Sequence, residues 1–161
     1  MTVQINGTTG IVTPALTSTA EIVSANGVGG TPCFSAYANA TQSITAATWT
    51  KINFGIKEFD TTNAFDNVTN MRYTPLVAGY YQVSATFSTV SATLYVALQK
   101  NGALSHILGN SNATVVVAGS ALVFLNGTTD YIEIWGSTSI TGPTNAGISY
   151  CCFQAAMIRG A

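Results

Sequence analysis

The sequence predicts an all-β protein built as a sandwich or barrel, and three observations lead there. Short runs rich in Val, Ile, Thr, Tyr and Phe recur from Pro32 onward, bounded by Asn-Gly and other glycine turns. Several of these runs alternate apolar and polar residues with the period of a strand. No segment carries a convincing amphipathic helical period. Many short strands without helices can bury their apolar faces only as a sandwich or barrel.

The clearest strand is GYYQVSATFS, Gly79–Ser88. It sets Tyr81, Val83, Ala85 and Phe87 on one face and Tyr80, Gln82, Ser84 and Thr86 on the other. The glycine that launches it permits a backbone conformation that a β-carbon would oppose, and Pro75 ends whatever strand comes before. Residues 94–100 repeat the pattern, with Leu94, Val96 and Leu98 opposite Tyr95, Ala97 and Gln99. Asn101-Gly102 then supplies the positive φ angles of a tight hairpin turn. Further on, Ile132 and Ile134 alternate with Tyr131, Glu133 and Trp135. Phe87, Phe124 and Phe153 are the expected core fillers, each contributing a few kcal/mol at about 25 cal/mol per Å² buried.

Residues 1–31 differ in character from residues 32–161. They carry isolated apolar residues (Val3, Ile5, Ile11, Leu16, Ile22) among Gly, Thr, Asn and Pro, without a period, and end in GVGG. The segment reads as an extended N-terminal arm, which needs a neighbouring subunit or a larger assembly to hold it.

Charged residues are 7% of the chain, against about 25% in an ordinary soluble domain. With 47% hydrophobic residues the chain is nevertheless a folding one, not a disordered one. A net charge of -1 gives little protection against association, so an obligate oligomer is expected. Tyr80, Tyr95, Tyr131 and Trp135 stand opposite the aliphatic faces of their strands. Either loops and a second sheet cover them or a partner subunit does; the interface is favoured because aromatics are enriched there and charges depleted.

The five basic residues, Lys51, Lys57, Arg72, Lys100 and Arg159, are scattered, which argues against nucleic-acid binding. No run approaches the roughly 18 apolar residues of a membrane-spanning helix. The first residues lack the basic-then-apolar order of a signal peptide. Cys33, Cys151 and Cys152 read as buried thiols of a reducing compartment. His106 is alone and has no supporting catalytic motif or metal-ligand spacing. Glu58, Asp60 and Asp66 read as solvated loop carboxylates, although oxygen ligands of this kind suit Ca²⁺. No Gly-rich phosphate loop occurs, and the chain is expected to be a non-enzyme without cofactor or transition metal.

The fragments CFSAY, WTKINF, FDNVTNMRYTPLVAGYYQVS, LYVALQKNG, ALVFLNGTTDYIEIW and SYCCFQAAMI follow one another over residues 33–158. As an ordered set they resemble the C1q/TNF-like jelly-roll family, with Ala155 where that family ends its last strand around a Gly. The resemblance implies a jelly-roll β-sandwich that assembles as a homotrimer, and some family members bind Ca²⁺. The opening MTVQINGTTGI resembles the starts of bacteriophage tail-fibre and virion proteins that reuse this jelly roll.

Together these resemblances imply a phage virion structural protein at the virion surface, assembled in the host cytoplasm. Its arm would anchor to other virion proteins. As a tail-fibre or appendage head it would meet host surface glycan, with Tyr37, Trp49 and Phe59 as candidate contacts. A capsid decoration protein is the alternative within that class. A secreted C1q/TNF-like signalling or recognition ligand is the alternative outside it, one that would need an export route and usually a collagen or transmembrane stalk.

Overall fold

The structure, a computed structural model, describes residues 31–90, 93–112 and 115–161, so all but the last residue of the expected arm lies outside it. The described residues form strands and no helix. One sheet has the order β10 (Val116–Leu125), β7 (Gly79–Ser88), β13 (Cys152–Gly160), β1 (Cys33–Tyr37), β4 (Ile56–Asp60). The other has the order β5 (Phe65–Asp66), β6 (Arg72–Tyr73), β11 (Ile132–Thr138), β8 (Thr93–Lys100), β9 (Ala103–Asn112), with β3 (Thr50–Lys51) also paired to β11. A small ribbon of β2 (Ser43–Ile44) and β12 (Gly142–Pro143) closes one end. Every pairing is antiparallel. Below, the two layers are called the β7 sheet and the β11 sheet.

The layers are joined by aromatic packing. Phe34 of β1 stacks on Phe65 at 4.9 Å and on Tyr73 at 4.4 Å between ring centroids, both from the β11 sheet. It meets Phe153 of its own sheet edge-on at 4.8 Å. Offset and edge-on geometries of this kind add about 1 kcal/mol per pair to the apolar burial itself. Tyr81, Val83, Ala85 and Phe87 all point into this core, as their alternation requires. Asn101 and Gly102 take φ of 53° and 79°, the two positive angles expected of the β8–β9 turn.

Three expectations need correction. Phe87 and Phe153 are fully buried, but Phe124 is 42% exposed. Its strand buries Val117, Val123 and Leu125, so Phe124, one residue out of phase, must point away from the core. There its ring packs on Tyr80 at 5.4 Å. Gly79 does not need a positive φ. Its requirement is space, since a β-carbon there would come within 2.5 Å of the Arg159 carbonyl oxygen. Glu58, Asp60 and Asp66 are not gathered in a solvated loop: the first two lie on β4 and the third ends β5. Asp60 accepts from the backbone amides of Phe65 at 2.8 Å and Thr62 at 3.3 Å, so it braces the β4–β5 turn.

The backbones of β9 and β10 approach closely. A β-carbon on Gly119 would sit 1.9 Å from the Leu108 carbonyl oxygen, and one on Gly109 would sit 2.8 Å from that of Ala118. The obstacle is backbone, which cannot rotate aside. Gly119→Ala should therefore lower stability in urea unfolding by roughly 2–3 kcal/mol. Gly160→Ala, with nothing within 4 Å, should leave it unchanged.

Candidate functional site: two unlike outward faces

Strand alternation gives each sheet an outward face, and the two faces differ in charge. On the β7 sheet the registers align outward residues in rows. One row reads Ser120, Ser84, Gln154, Ser35, Phe59, and its neighbour reads Ala118, Thr86, Cys152, Tyr37, Ile56. Towards the other end come Leu122, Gln82, Ala156, Cys33 and then the Phe124–Tyr80 pair. The first three of these rows contain no charged residue, and the last continues from Tyr80 into Arg159. The polar groups at the centre satisfy one another in part, the Gln154 side-chain amide donating to Ser35 Oγ at 3.1 Å. Two hollows open on this face, one of about 520 Å³ between Tyr80, Leu122, Ile158 and Arg159, and one of about 270 Å³ between Cys33, Phe59, Gln82 and Gln154.

The outward face of the β11 sheet is built around an acid. Glu133 is 2% exposed although it points outward, because its neighbours fold over it. Its Oε1 accepts from Lys51 Nζ at 2.7 Å and from Arg72 at 2.9 and 3.1 Å, and its Oε2 accepts from Trp135 Nε1 at 3.2 Å. The Arg72 guanidinium also lies 3.9 Å from the Tyr131 ring centre, and Lys51 Nζ lies 5.8 Å from that of Trp135. Charge-assisted bonds and cation–π contacts both fix these cations in direction. Further along β11, Trp49 and Tyr95 meet edge-on at 6.3 Å. Tyr95 pairs with Ser137 of β11, whose side chain is buried at this position.

The expected interface residues are thus divided. Tyr80 lies on the β7 sheet, whereas Tyr95, Tyr131 and Trp135 lie on the β11 sheet, the last two half-buried in the Glu133 cluster. The expected receptor contacts divide too. Tyr37 and Phe59 sit on strands β1 and β4 of the β7 sheet, and Trp49 precedes β3 beside the β11 sheet. Lys51, Arg72 and Glu133 were not anticipated as a cluster. The available signal was rarity: in a chain with 7% charged residues, a glutamate inside a hydrophobic strand calls for a partner.

The turn at residues 66–70 holds this cluster from behind. Asp66 accepts from the amides of Thr69 at 2.9 Å, Val68 at 3.0 Å and Asn70 at 3.1 Å, and the Asn70 carbonyl in turn receives Lys51 Nζ at 3.1 Å. The Asp66 carboxylate is accordingly held down to about 2, first by the Thr69 and Val68 amides. His106 lies on exposed β9 with its Nδ1 2.8 Å from Ser105 Oγ. Among the described residues no three His, Cys, Asp or Glu come together as a metal site.

No protein-family model matches the chain, and no curated protein sequence matches it. Solved structures do. The globular domain of zebrafish complement 1qA protein is similar with a TM-score of 0.59 and 20% identity, covering 81% of this chain and 99% of that one. Eiger TNF from S. frugiperda gives 0.60 and 9% over 81% and 95%, and murine APRIL at pH 8.5 gives 0.61 and 9% over 79% and 98%. At such identities the similarity shows the fold: the chain has the C1q/TNF-like jelly roll.

Because folding lowers the Asp66 pKa, the unfolded chain takes up its proton first. The stability it supplies is full above about pH 4 and is lost as pH falls towards about 2. Urea midpoints measured from pH 5 to pH 2 should fall less steeply in Asp66→Asn than in the wild type.

Proposed function

We propose that the chain is a trimeric, non-enzymatic jelly-roll protein of a phage virion, serving as the head of a tail fibre or appendage that contacts the host. The observation that carries the assembly is the set of uncharged central rows on the outward face of the β7 sheet. A closed ring of identical subunits uses two different surfaces of each copy. The second surface is the β9–β10 edge. Leu104 and Ile107 of β9 are 58% and 49% exposed, on the edge strand of the β11 sheet. Setting that edge against the β7 face of the next copy buries apolar surface on both and covers an edge that is otherwise open to wrong partners.

The placement on a phage is supported by the opening MTVQINGTTGI and its resemblance to tail-fibre starts. Residues 1–31 are the proposed anchor to other virion proteins. A second reading, an exported recognition ligand, is favoured by the match to complement and TNF domains over nearly their whole length.

Electron cryo-microscopy of purified particles separates these readings. Trimer density at the tail or a vertex is expected. Trimers repeated over the shell would make the protein a decoration protein, and a particle-free chain active outside cells would make it a ligand. Deleting residues 1–31 should leave a folded trimer that no longer joins particles.

Ser84 lies in the central row of the proposed interface, so Ser84→Glu would bury a carboxylate without a partner. Sedimentation should show monomer or aggregate for Ser84→Glu and trimer for Val68→Glu, which alters an exposed turn. A normal trimer in Ser84→Glu removes the β7 face from the interface.

A further inference from the structure

We propose that the outward face of the β11 sheet binds an acidic oligosaccharide, its carboxylate taken by Arg72 and Lys51 and its neighbouring sugar rings by Trp135, Trp49 and Tyr95. This inference rests on the attachment reading above and assigns its ligand class. Lys51 and Arg72 stand against Glu133 and the cross-strand Asp66, whose carboxylate is taken up by the amides of its own turn, so an anion is drawn by the donors the two cations keep free and not by excess charge. Glu133 does not exhaust its partners. Lys51 has three donors and spends two, on Glu133 and the Asn70 carbonyl. Arg72 has five and directs Nε and Nη2 at Glu133, so donors remain on its planar fork, the group best matched to a carboxylate.

Stacking of Arg72 on Tyr131 and the grip of Glu133 fix that fork before any ligand arrives, which lowers the entropy lost on binding. Beside the cations the surface turns aromatic. Trp135 pairs with Lys51 across the β3–β11 register, and the Trp49–Tyr95 contact follows on the same face. From Glu133 to Ser137 is four residues of strand, about 13 Å. That span is longer than one sugar ring, so the site suits an acidic unit joined to neutral ones whose apolar ring faces lie on the aromatics. A flat neutral chain would leave the charge unused, and a small anion would leave the aromatics unused.

The test is binding of the full chain to immobilised sialylated, uronate-containing and neutral oligosaccharides. Acidic members should be retained, with binding weakened by salt. Trp49→Ala, at an exposed position, should lower affinity about tenfold for all retained sugars. Arg72→Gln should abolish the preference for acidic over neutral members, with circular dichroism confirming the fold of each variant. Equal retention of neutral and acidic sugars, or wild-type binding by both variants, overturns the inference. The attachment reading is judged separately, by adsorption of the trimer to host cells. Adsorption competed by neutral but not acidic sugars sinks this site and leaves attachment standing. Absence of adsorption sinks attachment whatever the sugars do.

Discussion

The ring of Phe34 lies against Phe65 and Tyr73 of the opposite sheet and against Phe153 of its own, and this packing sets the parity of the strands that matter most. Strand side chains alternate, so placing one residue inward places its neighbours outward. With Phe34 inside, Cys33 and Ser35 face out; with Phe153 inside, Cys152 and Gln154 face out beside them. With Tyr73 inside, Arg72 faces out towards Glu133, itself next to inward Ile132 and Ile134. A one-residue slip in β1, β6 or β13 would put a hydroxyl, a charge or an amide into the core and rings into solvent. The same contacts that hold the sandwich therefore hold both outward faces in position.

Scarcity of charge makes the contrast between those faces informative. Four of the five basic residues, Lys51, Lys57, Arg72 and Lys100, sit in ion pairs with Glu133, Asp60 or Asp130. These pairs lie at 12% or less exposure on the acidic side and 28–29% on the basic side, so each cation keeps one side to water while its acid is enclosed. An enclosed acid without its cation is costly, and the pairs are therefore coupled to the fold around them. The β7 face carries no such pair in its central rows. Its uncharged serines and glutamines can be dehydrated at far lower cost than ions can.

The strands that alternate cleanly were legible: β7, β8 and the inward set of β11 appear as read, and so does the Asn101-Gly102 turn. Phe124 was misplaced because Leu122-Val123-Phe124-Leu125 is apolar at every position, so the run does not state its own phase. It took the pairing with β7 to set it. Strand β9 was not legible because seven of its ten residues are exposed and none is fully buried, which leaves no burial pattern, and register shifts interrupt its pairing with β8. The division of the aromatics between two faces was hidden for a different reason. Alternation tells which side of its own strand a residue takes. It does not tell which sheet the strand joins, and β7 joins β10 and β13 while β8 and β11 join each other.

The two proposals constrain one another through symmetry. Sandwich layers stand about 10 Å apart, so covering the β7 face leaves the β11 face on the far side of each subunit. Three copies around one axis would then present three identical Glu133 clusters outward. A sugar held by one stacked ring and one ion pair binds weakly, often near the millimolar range. Three such sites on one rigid head raise the effective concentration of the second and third encounters, and avidity can exceed single-site affinity by about 10²–10⁴. Assembly through the β7 face would thus supply what the proposed sugar site lacks. It also accounts for the economy of the sequence, in which the β11 face carries an acid clasped by two cations and the central rows of the β7 face carry none.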